Sequence, residues 1–429
     1  MTNKLHKSYP ILSLFLLILI TGCSKPSSNE VLDFSQMSEE EQRNMAASLA
    51  HKFIIVDGHV DLPYRMRVKG FMITKEVEDV SVETSGNFDY PKSKKGGLDA
   101  PFMSIYVPSD YQKSGGAKAF ADSLIDMVSR IPIAFPEKFA MAASPNEIQE
   151  NFDKRLLSLP MGMENGAPIE DDLNNVKYFF DRGIRYITLT HSKDNQICDS
   201  SYDTTYTWNG VSPFGEEVIK EMNKWGIMVD ISHVTDSAAF DALRITKAPV
   251  IASHSSCRKF TPEWERNMPD TLIKALAANQ GVIHINFGSN FLSKKTQDAR
   301  QKMIEDLTNY RVENNLSVDD SVYLTYAKQY AIDHDVYEDI ETVADHIDHV
   351  VNLVGVEHVG FGSDYDGVGD SLPKGLKDVS TYPNLIHELL KRGYTPEDIE
   401  KICYKNTFRV WKKVRKVANE LQYNRTKGK

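Results

Sequence analysis

Cysteine is scarce in this chain: four residues in 429, at positions 23, 198, 257 and 403, with no CxxC pair among them. A zinc ribbon held by paired thiolates is therefore excluded. No GxGxxG turn or P-loop follows any apolar run, which removes the usual reason for a doubly wound nucleotide-binding sheet. Dense basic stretches are also missing, and the formal net charge is -10, so the charge balance argues against a nucleic-acid partner. The one basic piece, "WKKVRKVANELQYNRTKGK" at the C-terminus, reads as a solvated helix with a polar tail. No internal repeat is visible. Apolar runs long enough to span a bilayer are absent too: the N-terminal run "ILSLFLLILI" has ten residues, where a spanning helix needs about 20.

That short run has a meaning of its own. Lys4 and Lys7 precede it and "LITGC" follows, the layout of a secretory leader whose cleavage region resembles a bacterial lipobox. The expectation is a lipoprotein signal peptide over residues 1–22, a lipidated Cys23, and a polar tether over 23–30. A plain leader with a chance cysteine is the alternative. Residues 31–429 would then form a single folded domain, extracytoplasmic and membrane-anchored through the lipid. With Cys23 lipidated, Cys198, Cys257 and Cys403 allow at most one disulfide, and the sequence does not choose among the pairings.

What the chain does have is a composition of 41% hydrophobic and 26% charged residues, that of a globular protein. Strand-like runs recur along it: "KFIIVDGH", "PFMSIYV", "LSLPMGMEN", "IRYITLTHS", "GIMVDISH", "APVIASHS", "GVIHINF" and "EHVGFGSDYDG". Helical stretches separate most of them, several ending at Gly183, Gly226, Gly281 and Gly355 as helix C-terminal caps do. Near-continuous apolar strands alternating with helices predict a buried parallel sheet. Eight such units predict an α/β fold of the (β/α)8 TIM-barrel type. Two insertions, the lysine-rich residues 65–95 and the helical residues 294–335, both follow strands. Both are expected at the C-terminal rim.

The strand ends carry the chemistry. The first run ends in His59 and Asp61, the third in Glu164, the fourth in His191, the fifth in His233, the sixth in His254 and the last in Asp364. In such a barrel these ends converge on one mouth. Imidazole and carboxylate without thiolate are the donors that borderline divalent metals take. Gathering so many ionisable groups without a cation would cost several kcal/mol each. They exceed the needs of one ion and suit two ions about 3.5 Å apart, with Glu164 as the natural bridge and a shared water as nucleophile. Three other residues read as structural: His284 as a satisfied core histidine, Asp366 as support, and Asp57 as a hydrogen-bonding residue one step deeper on the first strand. His346 and His349, three apart on a helix, read as the polar face of an amphipathic helix rather than a metal face.

The stretches "DGHVDLP", "GLDAPFMSIYVP", "GMENG", "RYITLTHS", "SPFGEEVIKEMNKWGIMVDISHV", "APVIASHSS", "RNMPD", "VADHIDHV" and "VGFGSDYDGV" run in order from Phe53 to Val410. Together they resemble the membrane (renal-type) dipeptidases, peptidase family M19 of the metallo-amidohydrolase superfamily. The resemblance implies two Zn2+ ions, His59 and Asp61 holding the first, His233 and His254 the second, and Glu164 bridging both. It implies that His191 contacts the substrate carbonyl and stabilises the oxyanion, and that Arg266 binds the terminal carboxylate of the substrate. A guanidinium fork suits that task. Asp364 would take a proton from the metal-bridging hydroxide's parent water and pass it to the leaving amine. Dipeptide substrates, some tolerance for a D-residue, some β-lactam cleavage and a homodimer belong to the same expectation. The loop after His191, "KDNQICDSSYDTTYTWNG", departs from the pattern and should shape the pocket. A disulfide between Cys198 and Cys257, both near the mouth by sequence, stays open.

Two other functions remain. Another metallo-amidohydrolase, a lactonase or deaminase, would often bridge its metals with a carboxylated lysine on the fourth strand, where this chain has His191 and only then Lys193. A peptide-binding lipoprotein without catalysis would need a damaged ligand set, and none of the matched ligands is missing.

Overall fold

Branched and sulfur-bearing apolar residues fill eight short runs, and each becomes a strand that is almost wholly buried: β1 Ile55–Val60, β2 Leu98–Tyr106, β3 Met161–Glu164, β4 Ile184–Thr188, β5 Met228–Asp230, β6 Ile251–Ser255, β7 Val282–Ile285 and β8 Val359–Phe361. The computed structural model describes residues 34–69, 72–73 and 79–427. The expected leader, Cys23 and the tether lie outside them. All eight strands pair in parallel with their sequence neighbours, and β1 closes on β8. This is the (β/α)8 barrel, with helices such as Pro213–Trp225, Asp236–Ile245, Asp270–Ala278 and Ile340–Val354 packed around it.

Local sequence explains where these helices start and stop. Ser212 Oγ accepts from Gly215 N at 2.9 Å and Thr235 Oγ1 from Ala238 N at 3.2 Å, each a side-chain N-cap. Gly226 and Gly355 take the expected positive φ at the C-terminal ends, 86° and 99°. Gly281 does not. The left-handed turn there falls on Gln280, at φ 62°. A Cβ on Gly281 would stand 2.6 Å from Val250 O, so that glycine serves close approach to the neighbouring strand.

The barrel interior is packed, not open. The Tyr186 ring lies against Gly162, where a Cβ would come within 2.0 Å of Tyr186 Cζ. His284 is the satisfied core histidine expected, its Nδ1 paired with Ala252 O at 3.0 Å and its Nε2 with Thr407 Oγ1 at 2.9 Å. The C-terminal helix Asn406–Lys427 corrects the expectation of a purely solvated helix. Phe408, Trp411 and Val414, three apart, bury one face against Phe102, Tyr186 and Met228 at the end of the barrel away from the mouth.

Two further expectations change. His346 does not face water: it is buried, accepts from Cys257 N at Nδ1 over 3.0 Å, and pairs its Nε2 with Leu292 O at 3.0 Å. Its polar atoms are satisfied by backbone that helical periodicity alone does not reveal. Cys198, Cys257 and Cys403 are buried and free, so no Cys198–Cys257 disulfide forms. Cys257 Sγ instead sits 3.6 Å from His346 O. Both insertions send residues to the rim: Arg65 and Val68 from the first and Arg300 from the second line the mouth. The second contains helices Lys294–Glu313 and Ser321–Asp333.

Candidate metal centre

The seven strand-end residues meet. Glu164 is the hub, with Oε2 3.3 Å from His59 Nε2 and Oε1 3.0, 3.3 and 3.6 Å from Nε2 of His233, His254 and His191. His59 Nε2 also stands 3.4 Å from Asp61 Oδ2. Three overlapping groups bring ligand atoms close enough to share an ion: His59 with Glu164 and His254, Glu164 with His191 and His233, and His59 with Asp61 and Asp364. Asp364 thus belongs beside His59 and Asp61 as a possible ligand, besides any part in proton transfer.

Several observations fit a cation here. His59 Nε2 and Asp61 Oδ1 are buried without a hydrogen-bond partner. His233 Nε2 and His254 Nε2 lie 2.9 Å apart, which needs a proton or a cation near both. Burial, reinforced by Arg266 beside His233 and His59 beside His254, holds both imidazoles well below their usual pKa. Neutral imidazoles are what a metal requires. Burial and then the neighbouring Asp61 carboxylate push Asp364 up to about 7. Glu164 falls well below the usual range: burial opposes this, but His59 and His191 outweigh it. Gly367 closes over the two aspartates, since a Cβ there would lie 2.1 Å from Asp61 Oδ2 and 2.2 Å from Asp364 Oδ1.

Backbone conformation aims two of these side chains. His233 and Asp364 adopt φ of 69° and 62°, left-handed values uncommon for residues with a Cβ. Such strain persists where surrounding structure enforces it, often at functional sites. Hydrogen bonds supply the enforcement, and at His233 the carbonyl accepts from Ser201 N at 2.8 Å. Asp364 N donates to His59 O at 3.1 Å, and Asp61 N donates to Tyr365 O at 2.9 Å.

Partners behind the ligands were not read from the sequence. Tyr186 OH pairs with His59 Nδ1 at 2.9 Å, and Ser104 Oγ donates to Glu164 Oε2 at 3.2 Å. Asn286 Nδ2 donates to Asp364 Oδ2 at 2.8 Å. Ser253 Oγ donates to Asp230 Oδ2 at 2.6 Å and stands 2.8 Å from His254 Nδ1. Its proton being committed to Asp230, Ser253 accepts from His254 Nδ1–H, which leaves the Nε2 lone pair facing the centre.

Asp57 sits apart from the ligands. A register shift between Asp57 and Val60 interrupts the strand alternation. Its carboxylate accepts from His59 N at 2.9 Å, from Ser363 N at 3.0 Å and from Tyr382 OH. It therefore ties backbone and the Tyr382 hydroxyl, and no candidate ligand side chain. Asp366 forms an ion pair with Arg65 at 2.5 Å, the support expected of it.

The centre opens into a cavity of about 780 Å³ lined by Tyr64, Tyr106, His191, Tyr202 and Phe291 among others. Arg266 is buried beside it. Nη1 donates to Ser255 Oγ at 2.8 Å and Nη2 to His254 O at 2.7 Å, while Nε has no partner. No carboxylate of the described residues neutralises it. Lys193 stands on the rim, 3.6 Å from Asp203.

A family model described as membrane dipeptidase (peptidase family M19) matches residues 43–425. A curated relative, an uncharacterized dipeptidase of Schizosaccharomyces pombe, is 30% identical over 382 residues, covering 86% of this chain and 83% of its own. Among solved structures, a probable dipeptidase of Pseudomonas aeruginosa is similar with a TM-score of 0.72 and 22% identity, over 89% of this chain and 100% of that one. A metallopeptidase of Rhodobacter sphaeroides liganded with a phosphinate mimic of L-Ala-D-Ala is similar with a TM-score of 0.65 and 22% identity, over 84% and 99%. At that identity the two structures speak for the barrel.

Proposed function

The chain belongs to peptidase family M19, the membrane dipeptidases, and is a metallo-dipeptidase by that membership; on this premise we propose that it hydrolyses dipeptides, L-Xaa-L-Xaa or L-Xaa-D-Xaa, at a centre holding two zinc ions. One observation carries the reading. The oxygens of Glu164 are divided, Oε2 toward His59 and Oε1 toward His191, His233 and His254. A carboxylate shared by two cations needs that division. His59 and Asp61 would hold one ion with Glu164, and Asp364 lies within reach of it. His233 and His254 would hold the other with Glu164. Nitrogen and carboxylate donors without thiolate suit zinc. When bound, the pair would lower the pKa of a water between them and polarise the substrate carbonyl.

The remaining steps belong to the chain's own groups. Arg266, with neutral partners only, offers its guanidinium to the substrate's terminal carboxylate. His191, its ring 4.7 Å from that of Tyr106, stands at the cavity wall and stabilises the oxyanion. Asp364 accepts the proton of the attacking water and delivers it to the leaving amine. Asn286 occupies Oδ2, which leaves Oδ1 for that transfer. The Rhodobacter relative holds a mimic with a D-residue at the second position, which supports tolerance for D-residues here.

The test is a panel of L,L and L,D dipeptides beside an N-acylated amino acid and a lactone, with metal content measured on the same preparation. Dipeptide turnover with about two ions per chain is expected; preferential lactone turnover, or a folded and active metal-free protein, would sink the reading. The proposal also includes a lipid anchor at Cys23 on the extracytoplasmic side, supported by the leader pattern. Changing Cys23→Ser should release the protein from membranes, and unchanged fractionation would remove the anchor. A homodimer rests on family membership alone; a monomer mass in light scattering would rule it out.

A further inference from the structure

The charged groups around the cavity are nearly all accounted for. Asp61, Glu164 and Asp364 belong to the metal centre. Of the cations that line the space, Arg65 pairs with Asp366 at 2.5 Å and Lys193 faces Asp203 at 3.6 Å. Arg300 differs. It comes from the helix Lys294–Glu313 inserted after β7, is half-buried, and lines the cavity with Asn290 and Phe291. Its Nη1 donates to the backbone oxygen of Asp370 at 3.0 Å, and its guanidinium lies 5.9 Å from the Tyr337 ring centre.

The Asp370 carboxylate does not neutralise Arg300. It accepts from Tyr337 OH at 2.6 Å and faces Lys377 at 3.7 Å. Two cations therefore share one exposed carboxylate, and the guanidinium that faces the cavity keeps unused donors. Arg266 is the second guanidinium here that forms no salt bridge with a carboxylate of the described residues. It lies over the Phe291 ring, 5.1 Å from its centre, so one aromatic residue touches Arg266 and lines the cavity alongside Arg300. A substrate with a single carboxylate would satisfy only one of them.

We propose that Arg300 selects dipeptides carrying a second carboxylate, on an aspartate or glutamate side chain, while Arg266 takes the terminal one. This rests on the dipeptidase reading above. The whole molecule works against such a preference, because its net charge of -10 repels anions. A local cation whose one carboxylate neighbour is exposed and shared with Lys377 is what reverses that field, and a guanidinium offers a carboxylate two parallel donors. The cavity, about 780 Å³, falls in the range that accepts ligands larger than a small dipeptide.

The test compares kcat/KM of the zinc-loaded full chain on matched dipeptides that differ only as Glu against Gln, placed first or second. A Glu advantage of tenfold or more at one position is expected. Arg300→Gln should bring that ratio within about threefold of unity, and Arg300→Glu should invert it, values consistent with losing one charge-assisted pair. Because each ratio is internal to one preparation, partial misfolding of a variant cancels. Equal cleavage of Glu and Gln peptides by the unaltered protein, or a ratio indifferent to Arg300→Gln, overturns the inference alone. No cleavage of any peptide overturns the dipeptidase reading and this inference with it.

Discussion

Glu164→Gln is the most informative single change, because it keeps shape and removes one oxygen and one charge. In the parent, Oε2 faces one histidine and Oε1 faces three, at 3.0 to 3.6 Å. Glutamine can present an oxygen to one half only. Its amide would then point hydrogens at lone pairs the other half needs for a cation, in a side chain only 5% exposed. A residue that merely orients a ligand is worth about 10- to 100-fold in metal affinity. Losing a ligand outright therefore sets a floor of about 100-fold, or roughly 2.7 kcal/mol, for at least one ion. Metal analysis after dialysis should fall from the proposed two ions toward one or none, and zinc should raise the thermal midpoint less than in the parent. Glu164→Asp keeps the charge but shortens the reach, so it should lose less affinity than Gln. Two tightly held ions in Glu164→Gln would refute the bridging argument, whatever became of activity.

Three further changes bear on other links. Asp364→Asn should lower kcat about 10²- to 10⁴-fold, the range of general acid–base catalysis, while dipeptide binding persists; unchanged kcat in steady-state assays would take Asp364 out of proton transfer. Gly367→Ala places a methyl 2.1 Å from Asp61 Oδ2, so ions per chain should drop, and parental metal content would show the loop free to yield. Asp99, buried with Ile55 N as its hydrogen-bond donor at 3.2 Å, is pushed from 3.8 to about 7 by burial. The folded state then keeps a proton that the unfolded chain releases, so stability falls as pH rises from about 4 to 7. Asp99→Asn should match the parent near pH 4 and exceed it by up to about 4 kcal/mol at pH 8; parallel stability–pH curves in urea unfolding would contradict this.

The gathering of the candidate site residues was legible because it needs only strand ends and residue types. His59, Asp61, Glu164, His191, His233, His254 and Asp364 each end an apolar run, and a barrel gathers such ends whatever the register. Their hydrogen-bond partners depend on register and were not legible. Tyr186 reaches His59 across 127 positions, and Asn286 reaches Asp364 across 78. Asp57 shows the same limit: its parity with His59 holds in sequence, but the register shift before Val60 turns it toward Tyr382. The left-handed backbone at His233 and Asp364 had no sequence signal, since neither residue is glycine. His346 was misplaced because periodicity locates the polar stripe of a helix, not the buried backbone that can satisfy it. Arg300 went unremarked because its significance lies in having no carboxylate to itself, which only the fold reveals.

The seam where β1 meets β8 constrains the order in which this protein can come together. Ser363 N and Asp57 are separated by 306 positions, and the same seam carries the contacts from Asp364 to His59 and from Asp61 to Tyr365. His191, His233, His254 and Glu164 all lie before position 255 and need no residue of β8. A chain folding as it emerges can therefore assemble one half of the centre early. The group formed by His59, Asp61 and Asp364 exists only once the last strand has docked. On the proposed two-ion reading, ions captured before that moment would meet an incomplete cradle, and full occupancy would wait for barrel closure.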